Sequence, residues 1–232
     1  MSNTTRKCRY APPKASAMIE TLRGLGYSTA TAIADIIDNS IAAGAGTVDL
    51  RFIWAGTESV VTILDDGCGM DDAGLDRAMR LGEKSPLDNR SECDLGRFGI
   101  GLKTASFSQC RRLTVASRQR GEAVTCLCWD LDVLNASEDD GWLLLEGPEE
   151  SSKELLTPLH AAETGTVVLW ERLDRMVTSG FTEQDFLDLV DVVERHLAMV
   201  FHRYLAGPHP LLCIRLNDQP VKPWDPYLSD HP

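Results

Sequence analysis

The 232-residue sequence predicts an α+β domain in which helices come first, a mostly antiparallel mixed sheet follows, and helices cover one face of that sheet. Three observations predict it. Apolar residues recur at helical spacing over 15–25 and again over 29–43. Later runs have strand length and are rich in β-branched and aromatic residues. The first two of these runs are joined by a connection short enough to force antiparallel pairing.

Taken in order, 15–25 and 29–43 are two helices broken at "GYS", which also supplies an N-cap. In "TVDLRFIW" Val48, Leu50, Phe52 and Trp54 alternate with Thr47, Asp49 and Arg51; the turn "AGTES" and the run "VVTIL" at 60–64 complete a hairpin. Residues 71–97 are charged and rich in Gly, Pro, Ser and Asp, with a brief helix around 75–81; a connection of that length usually carries function. A short helix to about 109 follows, then strands near 112–118, 123–131, 142–146 and 165–172. A long helix over 183–204 places Phe186, Leu189, Val193, Leu197 and Val200 on one stripe. After "AGPHP", the segment "LLCIRLND" and "QPVKPWDP" reads as a strand and turn of something new.

Composition narrows the function classes. A net charge of -12 argues against a nucleic-acid surface spread over the domain, leaving Arg111, Arg112, Arg118 and Arg120 as a local basic patch. Seven cysteines, from Cys8 to Cys213, fit no disulfide framework and read as buried, reduced thiols. The first ten residues have no apolar run behind them and no later segment is long enough to cross a bilayer, so the expectation is a soluble, cytoplasmic protein without membrane partners.

Four stretches carry chemistry. In "AIADIIDNSIAAGA", Asp35 and Asn39 are four residues apart and share a helix face, with Asp38 beside them; plain amphipathicity gives the same pattern. "VTILDDGCGM" ends a strand at Asp65, followed by Gly67 and Gly69. The glycines either satisfy a turn or let a flat base approach while Asp65 accepts from an exocyclic amine, which selects adenine over guanine. "GRFGIGLKT" separates Gly96 and Gly101 as a Walker loop does, but Leu102 intrudes before Lys103 and Thr104, and the residues before it are polar and acidic instead of a buried strand. Glycines opening a helix bind anions without that spacing, Lys103 adding a point charge, although a flexible linker reads the same way. "ETGTVVLW" puts Thr166 after a glycine at the start of a strand.

The order and spacing of this set resemble the GHKL superfamily of ATPases, named for gyrase, the ninety-kilodalton heat-shock chaperones, histidine kinases and MutL. "DIIDNS", "DDGCGM" and "GRFGIGLK" are similar to its motifs, and "LGRFGIGLKTASFSQCRRLTV" is similar to bacterial MORC-like ATP-binding proteins. The resemblance, covering about 15–205, implies the Bergerat fold, a two-layer sandwich with ATP between helices and sheet. It implies Asn39 as the Mg2+ ligand and Asp35 and Lys103 as catalytic residues. Asp65 and Thr166 lie on the adenine side, and Gly67, Gly69, Met70, Gly99, Ile100, Gly101, Leu102 and Lys103 surround base and phosphates. It further implies an ATPase domain over 1–206 with an ATP lid at 71–97, and the truncated start of a transducer-like domain at 207–232.

Two residues depart from the family pattern. Asp35 stands where glutamate is usual, and Ala42 where an acidic residue is frequent. A lysine of the following domain commonly contacts the terminal phosphate in this family, so weak hydrolysis is expected of this chain. The implied function is an ATP-driven clamp that closes its lid and dimerises with ATP, acting on DNA or a protein through regions outside the chain. Two alternatives remain open: a non-hydrolysing nucleotide switch, and a histidine kinase catalytic domain, against which stands the lack of any histidine before His160.

Overall fold

The computed structural model describes residues 9, 13–82, 101–137 and 141–226. Gly99 and Ile100, and residues 83–97 of the expected lid, lie outside the described residues. The chain opens with α1 (Ala15–Arg23) and α2 (Thr29–Ala42), followed by β1 (Thr47–Ile53), β2 (Val60–Asp65) and α3 (Asp72–Met79). Next come α4 (Gly101–Phe107), β3 (Arg112–Arg118), β4 (Thr125–Asp130), α5 (Leu131–Ala136) and β5 (Leu145–Glu146). A 3-10 segment (Glu150–Leu156) leads to α6 (Thr157–Ala161) and β6 (Gly165–Glu171). The chain then runs through α7 (Glu183–Val200), α8 (His202–Leu205), β7 (Cys213–Leu216) and β8 (Gln219–Pro220).

The strands form one eight-stranded sheet in the order β5-β4-β3-β6-β2-β1-β7-β8. Every pairing is antiparallel except β1 with β7. This is the mostly antiparallel mixed sheet expected from the sequence. The residues after 206, read from sequence as something new, supply β7 and β8 to this same sheet.

Strand alternation divides the core in two. Leu50, Ile63, Val115, Val168 and Trp170 face α1, α2, α4 and α7 in the main core, while Ala116, Val167 and Leu169 on the opposite face pack against Leu156 and Leu159. The helical layer therefore covers one face fully, and the 150–161 segment patches the other.

Local sequence explains the helix boundaries. Ser28 caps α2 by accepting from the Thr31 N–H, and Thr182 and Asp185 form a reciprocal capping box on α7. The long helix expected over 183–204 breaks at Phe201, and Val200 is exposed instead of completing the apolar stripe. α3 occupies the first part of the expected lid. Leu75 and Met79 are fully buried, and Trp129 Nε1 donates to the Met79 carbonyl at 2.9 Å, so the brief helix expected around 75–81 is a packed helix over Asp72–Met79.

The basic patch does not exist as a patch. Arg111 and Arg112 pair with Asp132 and Asp130 at one end of β3; at the other, Arg118 donates to the His160 and Ala162 carbonyls and Arg120 pairs with Glu163. The cysteine expectation also needs correction: among the described residues Cys68 and Cys213 are exposed thiols. No helix among the described residues is long and apolar enough to cross a membrane.

Candidate nucleotide site

The site forms where the end of β2, the end of β3 and the start of β6 meet the middle of α2. Ile33, Ile36 and Ile37 are buried on the sheet-facing side of α2, and Ser40 is the polar residue that continues this apolar stripe. Its hydroxyl donates to Asp65 Oδ2 at 2.9 Å, while Oδ1 accepts from the Gly67 N–H at 2.9 Å. Burial pushes the Asp65 carboxyl above its ordinary range, and these two hydrogen bonds, that from Gly67 the larger, pull it back. The neighbouring Asp66 serves the backbone instead. Its Oδ1 accepts from the Gly46 and Thr47 N–H groups at 2.8 Å each and holds the entry to β1.

Asp65 stands directly across the ladder from Thr166, and Thr166 across from Ser117. The hydroxyls of Ser117 and Thr166 are 2.8 Å apart, and Ser117 Oγ accepts from the Met70 N–H at 2.8 Å. Three strands thus bring a carboxylate and a hydroxyl side by side on the face that looks toward α2.

The glycines answer the two readings of the turn. A Cβ on Gly69, whose φ is 67°, would lie 1.9 Å from the Arg118 carbonyl oxygen; on Gly67 it would lie 2.9 Å from the Ala43 Cβ. Packing of the chain on itself already demands glycine at both. Gly101 differs, since among the described residues a Cβ there meets nothing within 4 Å.

On the more open face of α2, Asp35 and Asn39 stand one turn apart, as their spacing requires: Asn39 Nδ2 donates to the Asp35 carbonyl at 2.9 Å. Tyr27 OH donates to Asp35 Oδ2 at 2.8 Å. Burial, followed by the hydrogen bond to Asp35, raises the Tyr27 phenol above its ordinary value, so it remains a donor at neutral pH. Burial and then the charge of Asp35 raise Asp38.

Lys103 is buried, and its Nζ donates to the Ala78 carbonyl at 2.7 Å, near the negative end of α3. Leu102 and Met70 pack their side chains on the main core. A cleft of about 470 Å³ lined by Asp72, Asp76, Thr125, Leu127 and His160 shares no residue with this constellation.

Sequence reasoning missed Ser40, Ser117 and Tyr27. For Ser40 a signal was present, a small polar residue on an otherwise apolar helix stripe.

A family model described as "Histidine kinase-, DNA gyrase B-, and HSP90-like ATPase" matches residues 27–166, the stretch bounded by Tyr27 and Thr166. The chain belongs to this ATPase family. Its α+β sandwich is accordingly the Bergerat fold. Among curated relatives of this GHKL family member, the DNA mismatch repair protein MutL of Rhodospirillum rubrum is 31% identical over 190 residues, 82% of this chain and 26% of that protein. MutL of Allorhizobium ampelinum is 36% identical over 95 residues, 40% of this chain and 15% of that protein. ATPase morc-1 of Caenorhabditis elegans is 29% identical over 91 residues, 39% of this chain and 10% of that protein. The chain thus spans about a quarter or less of these relatives' lengths.

The GHKL site's donors fit a magnesium ion held jointly with phosphates. Asn39 is exposed and commits its amide nitrogen to the helix, and its carboxamide oxygen, like the carboxylates of Asp35 and Asp38 on the same helix, belongs to the hard oxygen donors that Mg2+ prefers. Among the described residues no group of three or more His, Cys, Asp or Glu side chains is placed to hold a metal. A bound nucleotide would have to complete the coordination.

Proposed function

We propose that this chain binds ATP with Mg2+ and hydrolyses it, its nucleotide state controlling lid closure and dimerisation. The observation that carries this reading is the Asp65–Thr166 pair, a buried carboxylate and a hydroxyl adjacent across β2 and β6 and tied to α2 through Ser40. In the proposal Asp65 accepts from the adenine amine, and Asn39 holds Mg2+, which neutralises charge on the phosphates. Asp35 orients the attacking water, and Gly99, Ile100, Gly101 and Lys103 contact base and phosphates. Lys103 must then exchange the Ala78 carbonyl for a phosphate. The lid in this proposal is 71–97, which begins with α3, and 207–232 is the start of a transducer-like region. MutL acts in DNA mismatch repair, as its name states, and a DNA or protein target reached through other regions belongs to the same proposal.

Thermal melting with ATP·Mg2+ and with GTP·Mg2+ tests the reading. Ligand at a hundredfold excess over its dissociation constant stabilises the native state by about 2.7 kcal/mol. ATP is expected to shift the melt and GTP to do so much less; equal shifts, or none, refute it. The second reading, a non-hydrolysing switch, is favoured by the shorter reach of Asp35, and single-turnover hydrolysis separates the two.

A further inference from the structure

Ser117 is fully buried at the end of β3 and touches three groups of the site. Its oxygen accepts from the Met70 N–H at 2.8 Å, lies 2.8 Å from Thr166 Oγ1, and is 3.1 Å from the Gly165 carbonyl oxygen. A serine has one proton to give, so only one of the last two can receive it.

The two choices present different faces to a ligand. If Ser117 donates to Gly165, Thr166 must donate into Ser117, and Thr166 then offers only lone pairs beside the Asp65 carboxylate. Two adjacent acceptors suit a ligand edge with two donors, such as the N1–H and N2–H2 of guanine. If Ser117 donates to Thr166, the threonine proton is released toward the ligand. A donor beside an acceptor then matches the N1 and N6 positions of adenine. The 2.8 Å contact with Thr166 is present in both arrangements and either oxygen can be its donor; of the two acceptors open to the Ser117 proton, the Gly165 carbonyl at 3.1 Å is the more distant.

We propose that Ser117 is a specificity-determining residue: the relay from the Met70 N–H through Ser117 to Thr166 makes the Thr166 hydroxyl a donor to N1 of adenine. This rests on the assignment of Asp65 and Thr166 to the base. It extends base selection beyond the carboxylate, because Asp65 alone tests only the amine, whereas the relay tests the neighbouring ring nitrogen.

The experiment measures equilibrium affinities of ATP and of 1-deaza-ATP, in which a C–H replaces N1, by titration calorimetry. The proteins are the parent, Thr166→Val and Ser117→Ala. One hydrogen bond to N1 gives the parent a preference for ATP of about tenfold. Thr166→Val is expected to abolish that preference and Ser117→Ala to reduce it to about threefold or less. A packing role for Ser117 weakens both ligands alike and leaves the ratio untouched. Should Ser117→Ala keep the parental ratio while Thr166→Val loses it, the relay is refuted and the base assignment stands. A parent with no preference sinks the donor role of Thr166 and the relay with it. Ser117→Cys fills the same space with only a weak donor and gives the same comparison if the alanine variant does not fold.

Discussion

Ser40 Oγ donates to Asp65 Oδ2 at 2.9 Å, so the helix that carries Asp35 and Asn39 is fastened directly to the strand end that carries the buried carboxylate. Two substitutions at this bond are expected to move stability in opposite directions. Ser40→Ala removes a donor from a buried charge and costs about 1–3 kcal/mol, about 2–4 °C in Tm for each kcal/mol in a domain of this size. Asp65→Asn removes the buried charge itself. Because folding raises the Asp65 carboxyl above 3.8, its stabilising contribution is complete below that ordinary value and is lost as pH rises through the raised one. Asp65→Asn therefore melts higher than the parent at neutral pH, the advantage vanishes near pH 3, and ATP binding is lost. Calorimetric melts across pH check it; a variant melting below the parent at pH 7 contradicts it.

Gly69 and Gly101 are expected to fail differently when each is replaced by alanine. Gly69→Ala forces a left-handed backbone onto an L-residue and drives Cβ against the Arg118 carbonyl, a cost of about 2–5 kcal/mol. Gly101→Ala meets no atom of the described residues within 4 Å and is expected to leave the melting temperature nearly unchanged. If phosphate approaches the backbone there, Gly101→Ala still loses nucleotide affinity. Melting and nucleotide titration on the same two variants separate fold from binding, and unchanged affinity in Gly101→Ala removes that residue from the phosphate cradle.

Whereas Val167 to Trp170 form a continuous apolar run in a strand buried on both faces, the first strand was legible because Val48, Leu50 and Phe52 repeat with the period of a half-buried strand. The α2 face with Asp35 and Asn39 was legible for the same reason, with a period of 3.6 instead of two. What escaped were residues whose role depends on a neighbour distant in sequence. Ser117 meets Met70 and Thr166 across 47 and 49 residues, and nothing near Ser117 in the chain announces either partner. The parallel pairing of β7 with β1 is hidden likewise, since a four-residue strand carries too little pattern to state its partner. The local basic patch failed because Arg111, Arg112 and Arg120 fold against acids, and Arg118 against backbone carbonyls, that the local sequence does not place beside them.

Arg23 also folds against an acid distant in the chain. Its guanidinium is almost fully buried and contacts both oxygens of Asp174 at 2.6 Å, 151 residues away, at the end of the sheet remote from Asp65. Asp174→Asn leaves a buried cation underpaired and is expected to cost about 3 kcal/mol. Arg23→Met removes the charge while keeping the stem and is expected to cost less. Urea unfolding of both variants checks the order; the reverse order means the pair does not anchor α1 through its charge.

The last prediction concerns Asp35 and the tyrosine that holds it. Asp35 stands one helical turn before Asn39, and in the proposed function it would orient a water at the terminal phosphate if Asn39 held Mg2+. Tyr27 OH occupies Asp35 Oδ2 at 2.8 Å, which leaves Oδ1 as the oxygen available to such a water and fixes the carboxylate's rotation. Asp35→Asn keeps the size and removes the charge. It is expected to bind nucleotide like the parent and to lose turnover about a hundredfold or more, within the usual range for a general base. Tyr27→Phe frees the carboxylate to rotate, and a misaligned base costs rate with little effect on affinity, about tenfold here. The two changes act through one group, so in the Asp35→Asn background Tyr27→Phe is expected to have no further effect on turnover. Single-turnover hydrolysis and nucleotide titration on the four proteins of this cycle supply the numbers. Parental hydrolysis in Asp35→Asn removes Asp35 as the base and makes Asp38 the next residue to test. Full additivity of the two changes instead assigns Tyr27 to packing alone, because a side chain that acts only by positioning Asp35 has nothing left to position once that carboxylate is gone.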